Sequence, residues 1–162
     1  MNKIILLIAL TVTSMVTNAQ SFFDSLEDMD GVDMVVVNKD MFELLSKFGP
    51  DKMKDNEAMQ IFTMIKDLKN LKVFSTDDAI IADKMETMAN SAIKKHNLTE
   101  LMRIKEDDSR VKIYVKSTKN KEYVSEVLMF IKGIDKQTKG ISKSMIVSLT
   151  GNIDINKLSA LA

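Results

Sequence analysis

Near residue 98 the spacing of apolar side chains changes from helical to every second position. LMRIKED, residues 101 to 107, alternates apolar with charged side chains, and VKIYVKS, 111 to 117, does so again. Successive side chains of a strand point to opposite faces. Val111, Ile113 and Val115 therefore share one face, and Lys112, Tyr114 and Lys116 the other. Asp108-Ser109 reads as a turn, so the two segments predict a hairpin with one wet face. VSEVLMFIKG, 124 to 133, is apolar on both faces from Val127 to Ile131 and belongs inside a sheet. SMIVSLTG, 144 to 151, is the last strand, with Gly151-Asn152 as its exit turn.

Upstream, helical spacing dominates. In STDDAIIADKMETMANSAIKKHN, Ser75 or Thr76 is the expected cap, and Asp77 and Asp78 face the positive end of the helix dipole. Lys94 and Lys95 close the other end, and Ile81, Ala82, Met85, Met88, Ala89, Ala92 and Ile93 line one side. Residues 56 to 69 predict a second helix, with Ala58, Ile61, Phe62, Ile65 and Leu68 as its apolar stripe and Asn70 at its end. MFELLSKF, 41 to 48, predicts a third, with Met41, Phe42, Leu44 and Leu45 inward and Gly49-Pro50 stopping it. SFFDSLEDM, 21 to 29, is a short opening helix that Ser21 can cap. VDMVVV, 32 to 37, and LKVFST, 71 to 76, read as strands, the first apolar enough to suggest burial on both faces. Helices gather early and strands late. The expected class is α+β, a mostly antiparallel sheet with helices packed on one face.

The first residues, MNKIILLIALTVTSMVTNAQ, have the form of a secretory leader: Lys3, an apolar run from Ile4 to Val16, and small residues ending at Ala19. The run is shorter than the about 20 residues that cross a bilayer. With 162 residues in all, cleavage after residue 19 leaves a single domain from 20 to 162. The chain has no cysteine. That excludes a lipoprotein anchor, disulfides and thiol chemistry. The expectation is a periplasmic or secreted protein with no membrane span in its mature part. It has 23 basic and 23 acidic residues, and losing Lys3 leaves 22 against 23. Such balance argues against nucleic acid and against adsorption to anionic lipid.

Several stretches together resemble a known family. They are the leader, VVVNKDMFELL, IKDLKNLKVFSTDD, RVKIYVKS, SEVLMFIKG and the closing IVSLTGNIDINKL. The combination resembles the DUF4252 family, exported proteins of Bacteroidota with no assigned activity, over roughly residues 22 to 162. Many members look like lipoproteins; this chain departs from them in lacking the cysteine, so lipid tethering does not carry over. The resemblance implies localisation and fold and transfers no catalytic or binding residues.

Chemistry is sparse. His96 is the sole histidine and sits at a helix end. A zinc site needs three or four ligands, usually His or Cys. Asp77, Asp78 and Asp83 cluster at a helix start, and Glu106, Asp107 and Asp108 at a hairpin tip. Capping and turn chemistry account for both clusters; calcium binding, or hydrolytic catalysis using the first with His96, is the alternative. No cofactor motif is present, and the five glycines fall singly at element boundaries. The thirteen methionines fall mostly on apolar helix faces, as core filler. Lys112, Tyr114, Lys116 and Arg103 on the wet hairpin face form the candidate interaction surface for an envelope protein partner. The expected role is a non-catalytic exported binding module, with a carrier of an apolar small molecule as a further alternative. In the tail, Asp154 is expected to cap a short helix whose Ile155, Leu158 and Leu161 complete the core.

Overall fold

The computed structural model describes residues 22–47, 66–106, 109–133 and 144–156. The leader, Ser21, Gly49-Pro50, residues 56–65 of the expected second helix, Asp107-Asp108, Leu158 and Leu161 lie outside them. In chain order the elements are α1 (Asp24–Glu27), β1 (Asp33–Asn38), α2 (Lys39–Lys47), β2 (Leu68–Thr76), α3 (Ala79–His96), β3 (Thr99–Glu106), β4 (Ser109–Ser117), β5 (Tyr123–Lys132) and β6 (Ser144–Asp154). The strands form one sheet in the order β1-β2-β6-β5-β4-β3, and every pairing is antiparallel. The α+β class holds.

Residues directly opposite one another share a face. Phe74, Ile146 and Phe130 form one such row, and Val73, Val147 and Met129 the next, on the other side. The first face carries α3 and the N-terminal segment: Phe23, Leu26, Met85, Ala89, Ala92, Phe74, Leu128, Phe130 and Ile146 form one core cluster. The opposite face holds a second cluster in which Phe42 of α2 meets Leu68, Val115, Val124, Val127 and Ile153. The helices are therefore divided between the two faces. The expectation of one helical face is corrected by Phe42, whose ring is buried among side chains pointing away from α3.

Local chemistry explains α3. Asp78, not Ser75 or Thr76, is its cap: its Oδ1 accepts from the backbone N–H of Ile80 and Ile81 at 2.7 and 3.0 Å. Thr76 acts one step earlier, its hydroxyl accepting from Asp78 N–H and donating to Gly31 O. Asn97 ends the helix in the left-handed conformation, at φ +54°, after Lys94, Lys95 and His96.

Four other expectations change. β1 is a sheet edge, exposed along most of its length, because β2 lies on one side of it alone. In α2 only Phe42 is buried; Met41, Leu44 and Leu45 are exposed. β2 begins at Leu68, so Leu68 and Asn70, expected to finish a helix, pair with β6 instead. Gly151-Asn152 is an irregularity within β6, which runs on to Asp154 and buries Ile153. Asp154 Oδ1 does accept from Asn156 N–H at 2.9 Å, as a cap would.

Lys72 joins α1 to the sheet. Its Nζ donates to Asp24 Oδ1 at 2.9 Å and to Glu27 Oε1 at 2.6 Å. Burial works against the ammonium, but the hydrogen bonds to Glu27 and Asp24 outweigh it and hold the pKa above the ordinary 10.5. A raised folded-state pKa stabilises fully below the unfolded value and is lost as pH climbs through the folded one. Thermal unfolding followed against pH should therefore show a steeper alkaline decline above pH 10.5 in the wild type than in Lys72→Met. Equal slopes would show that the two carboxylates contribute nothing to this attachment.

Candidate functional interaction surface

The β3–β4 hairpin brings Arg103, Lys112, Tyr114 and Lys116 to one face of the sheet. Arg103 stands opposite Lys112, and Tyr114 and Lys116 follow Lys112 at alternate positions. The face differs from an all-cationic surface because Glu100 stands at its centre. Arg103 donates to Glu100 Oε2 at 2.6 Å, and Tyr114 Oη donates to the same oxygen at 3.1 Å. The hydrogen bond from Arg103 lowers the Glu100 pKa, and that from Tyr114 adds to it. Burial raises the Tyr114 pKa, and so does the hydrogen bond to Glu100. Lys112 is half-buried, Lys116 is exposed, and Tyr114 leans on the core under α3.

Sequence alternation alone misses Glu100. Strict period two would place residues 100 and 103 on opposite faces. The register shifts between Glu100 and Met102, and this irregularity at Leu101 returns Glu100 to the face of Arg103. Met102 and Ile104 project from the other face beside Ile113 and Val111. All eight residues of β3 are exposed, with Leu101, Met102 and Ile104 at 50, 43 and 45%.

The acidic candidates disperse. Asp78 is the α3 cap, and Asp83 joins Glu86 in holding Lys132 Nζ, at 3.0 and 2.8 Å. His96 lies at the far end of α3, about 27 Å along the axis from residue 78 at 1.5 Å per residue. There its Nδ1 is 2.8 Å from Glu126 Oε1, a contact in which the ring donates and the carboxylate accepts, and its ring meets Phe22 edge-on. No hydrolytic set of Asp77, Asp78, Asp83 and His96 is thereby assembled. Among the described residues no three His, Asp or Glu side chains are grouped to hold a metal ion. Glu106 pairs in register with Ser109 at the hairpin end. The methionines divide: Met85 is fully buried, whereas Met34, Met41 and Met102 are on the surface.

A family profile described as "Domain of unknown function (DUF4252)" matches residues 23–161. The chain belongs to the DUF4252 family. The match spans both core clusters and the six strands among the described residues of this DUF4252 domain. No curated protein and no solved structure matches the chain. Among the described residues of the domain, no helix is long and apolar enough to cross a membrane.

Proposed function

We propose that this DUF4252 protein is exported, loses residues 1–19, and acts in the periplasm or outside the cell as a non-catalytic module that binds a protein partner of the cell envelope. The β3 edge carries the contact. The observation behind this reading is the full exposure of β3. An edge strand presents unpaired backbone N–H and C=O groups to which an extended segment adds as a further strand. Met102 and Ile104 offer apolar contacts on one side, and the Glu100–Arg103–Tyr114 group offers polar ones on the other. The leader pattern supports export, and the lack of cysteine supports a mature protein without a lipid anchor.

In-cell crosslinking of the full chain tests this. Ile104→Asp places a charge on the apolar side of β3 and is expected to reduce the crosslinked partner about tenfold, equivalent to about 1.4 kcal/mol. A partner recovered equally from wild type and variant would overturn the assignment of the contact to β3. The mature protein should begin at Gln20 when its N-terminus is sequenced.

A further inference from the structure

β1 is the opposite edge of the sheet, and it differs from β3. Four of the eight β3 residues are charged: Glu100, Arg103, Lys105 and Glu106. Between Asp33 and Asn38, β1 has no charge and no proline, so its residues can stand opposite their own copies without like-charge repulsion. Met34, Val35 and Val36 are 49, 55 and 43% exposed. α2 follows without a break and packs over β1 and β2. Its Met41, Leu44 and Leu45 are spaced to share one stripe beside the buried Phe42, and all three are exposed. Among the described residues, six of the ten large exposed apolar side chains thus fall on these two consecutive elements.

We propose that β1 pairs antiparallel with β1 of a second copy of this chain, about a twofold axis at Val36. Such an axis is perpendicular to the sheet and keeps each face on its own side. Opposed residues must then have the same parity, so the axis passes through a residue. At Val35 it would set Asp33 against Val37 of the second copy, a carboxylate against an aliphatic side chain. At Val36 it sets Val36 against itself, Val35 against Val37 and Met34 against Asn38, and it brings Asp33 beside Lys39, the first residue of α2. Opposite charges then meet at both ends, and charge complementarity selects this register. Lys39 already reaches its own Glu43 at 3.2 Å, but both are well exposed, so that pair is weak and leaves the ammonium accessible. The two α2 helices stand on the same face and flank the axis. A six-residue strand is a small contact against the roughly 800 Å² per partner of a stable interface; the α2 stripe enlarges it. The joined sheet leaves a β3 edge at each end, so the dimer offers the partner-binding strand twice. The pairing itself does not depend on what β3 binds.

The test uses the full chain expressed with its leader, purified as the exported product. Sedimentation should give a dimer, and Val36→Lys should weaken it at least tenfold while circular dichroism stays unchanged; Met34→Lys serves if the first variant does not fold. The chain lacks cysteine, so Val36→Cys supplies a single thiol. Directly opposed Cα atoms in an antiparallel pair are about 4.5–5.5 Å apart, within disulfide reach. Oxidised Val36→Cys should form a covalent dimer, whereas Ile104→Cys, on β3, should form no disulfide-linked dimer while still sedimenting as the non-covalent one. A wild-type monomer up to the solubility limit, or a dimer undiminished by both lysine substitutions, overturns the proposal. Self-linking by Val35→Cys with Val36→Cys inert overturns the register. None of these outcomes depends on the Ile104→Asp crosslinking result.

Discussion

Phe74→Ala should remove about 3–5 kcal/mol of folding stability, the usual cost of deleting a buried ring. Phe74 is 0% exposed in the second half of β2. In register it faces Met34 on one side and Ile146 on the other. Its ring centroid lies 6.0 Å from that of Phe23, so it ties the segment before α1 to the sheet. The same cluster contains Met85 and Ala89 of α3. Alanine would leave a cavity between β2, α3 and the segment before α1, each of which keeps its own backbone hydrogen bonds, so collapse around it is limited. A domain of this size has about 5–15 kcal/mol in total. The variant should therefore unfold well below the wild type in urea, with a melting point lower by roughly 10 °C. Phe74→Leu keeps most of the volume and should cost about 1.5 kcal/mol or less. A loss below about 1 kcal/mol for the alanine variant would mean that the cluster repacks freely, against the close packing of protein interiors.

Gly151→Ala should be nearly as damaging, for a different reason. Gly151 has φ +152°, and a Cβ there would lie 2.5 Å from Asp67 O and 2.8 Å from the Leu68 Cα. Both obstacles are backbone, so no rotamer change relieves them. Asn152 N–H donates to the same Asp67 carbonyl at 3.0 Å, which fixes the distance between the strands. Conformational strain of about 1–3 kcal/mol and a comparable overpacking term together predict a loss of about 2–6 kcal/mol. Equilibrium unfolding measures it. Asn152→Ala, at the exposed neighbouring position, should stay within about 0.5 kcal/mol of the wild type. Equal stability of the two variants would show that β6 can slide away from β2 at this point.

Much of the fold is legible along the chain. The alternation of VKIYVKS and the apolar run of VSEVLMFIKG identify β4 and β5, because period two has one structural meaning when one or both faces are buried. The cap-to-cap logic of α3 is visible in Asp78 and in Lys94-Lys95, although the cap lies two residues beyond Thr76. Local pattern misleads where an apolar residue has two uses. β1 is the case in point: with Met34 followed by three valines it reads like a doubly buried central strand, yet it is an edge. In the candidate surface, alternation brings Arg103, Lys112, Tyr114 and Lys116 together, while Glu100 is hidden by a one-residue register shift that carries no distinct residue signature.

By itself the sequence determined most of the element types, the α+β class, and a composition with a single histidine and no cysteine, since periodicity, capping residues and composition act locally. Only the tertiary structure decided that the last strand, β6, lies between β2 and β5, that α2 and α3 take opposite faces, and that β1 and β3 are the edges. Those outcomes come from pairing strands far apart in the chain. Many partners satisfy the same backbone hydrogen bonds, and the choice among them is made by how whole faces pack, a property that no single segment carries.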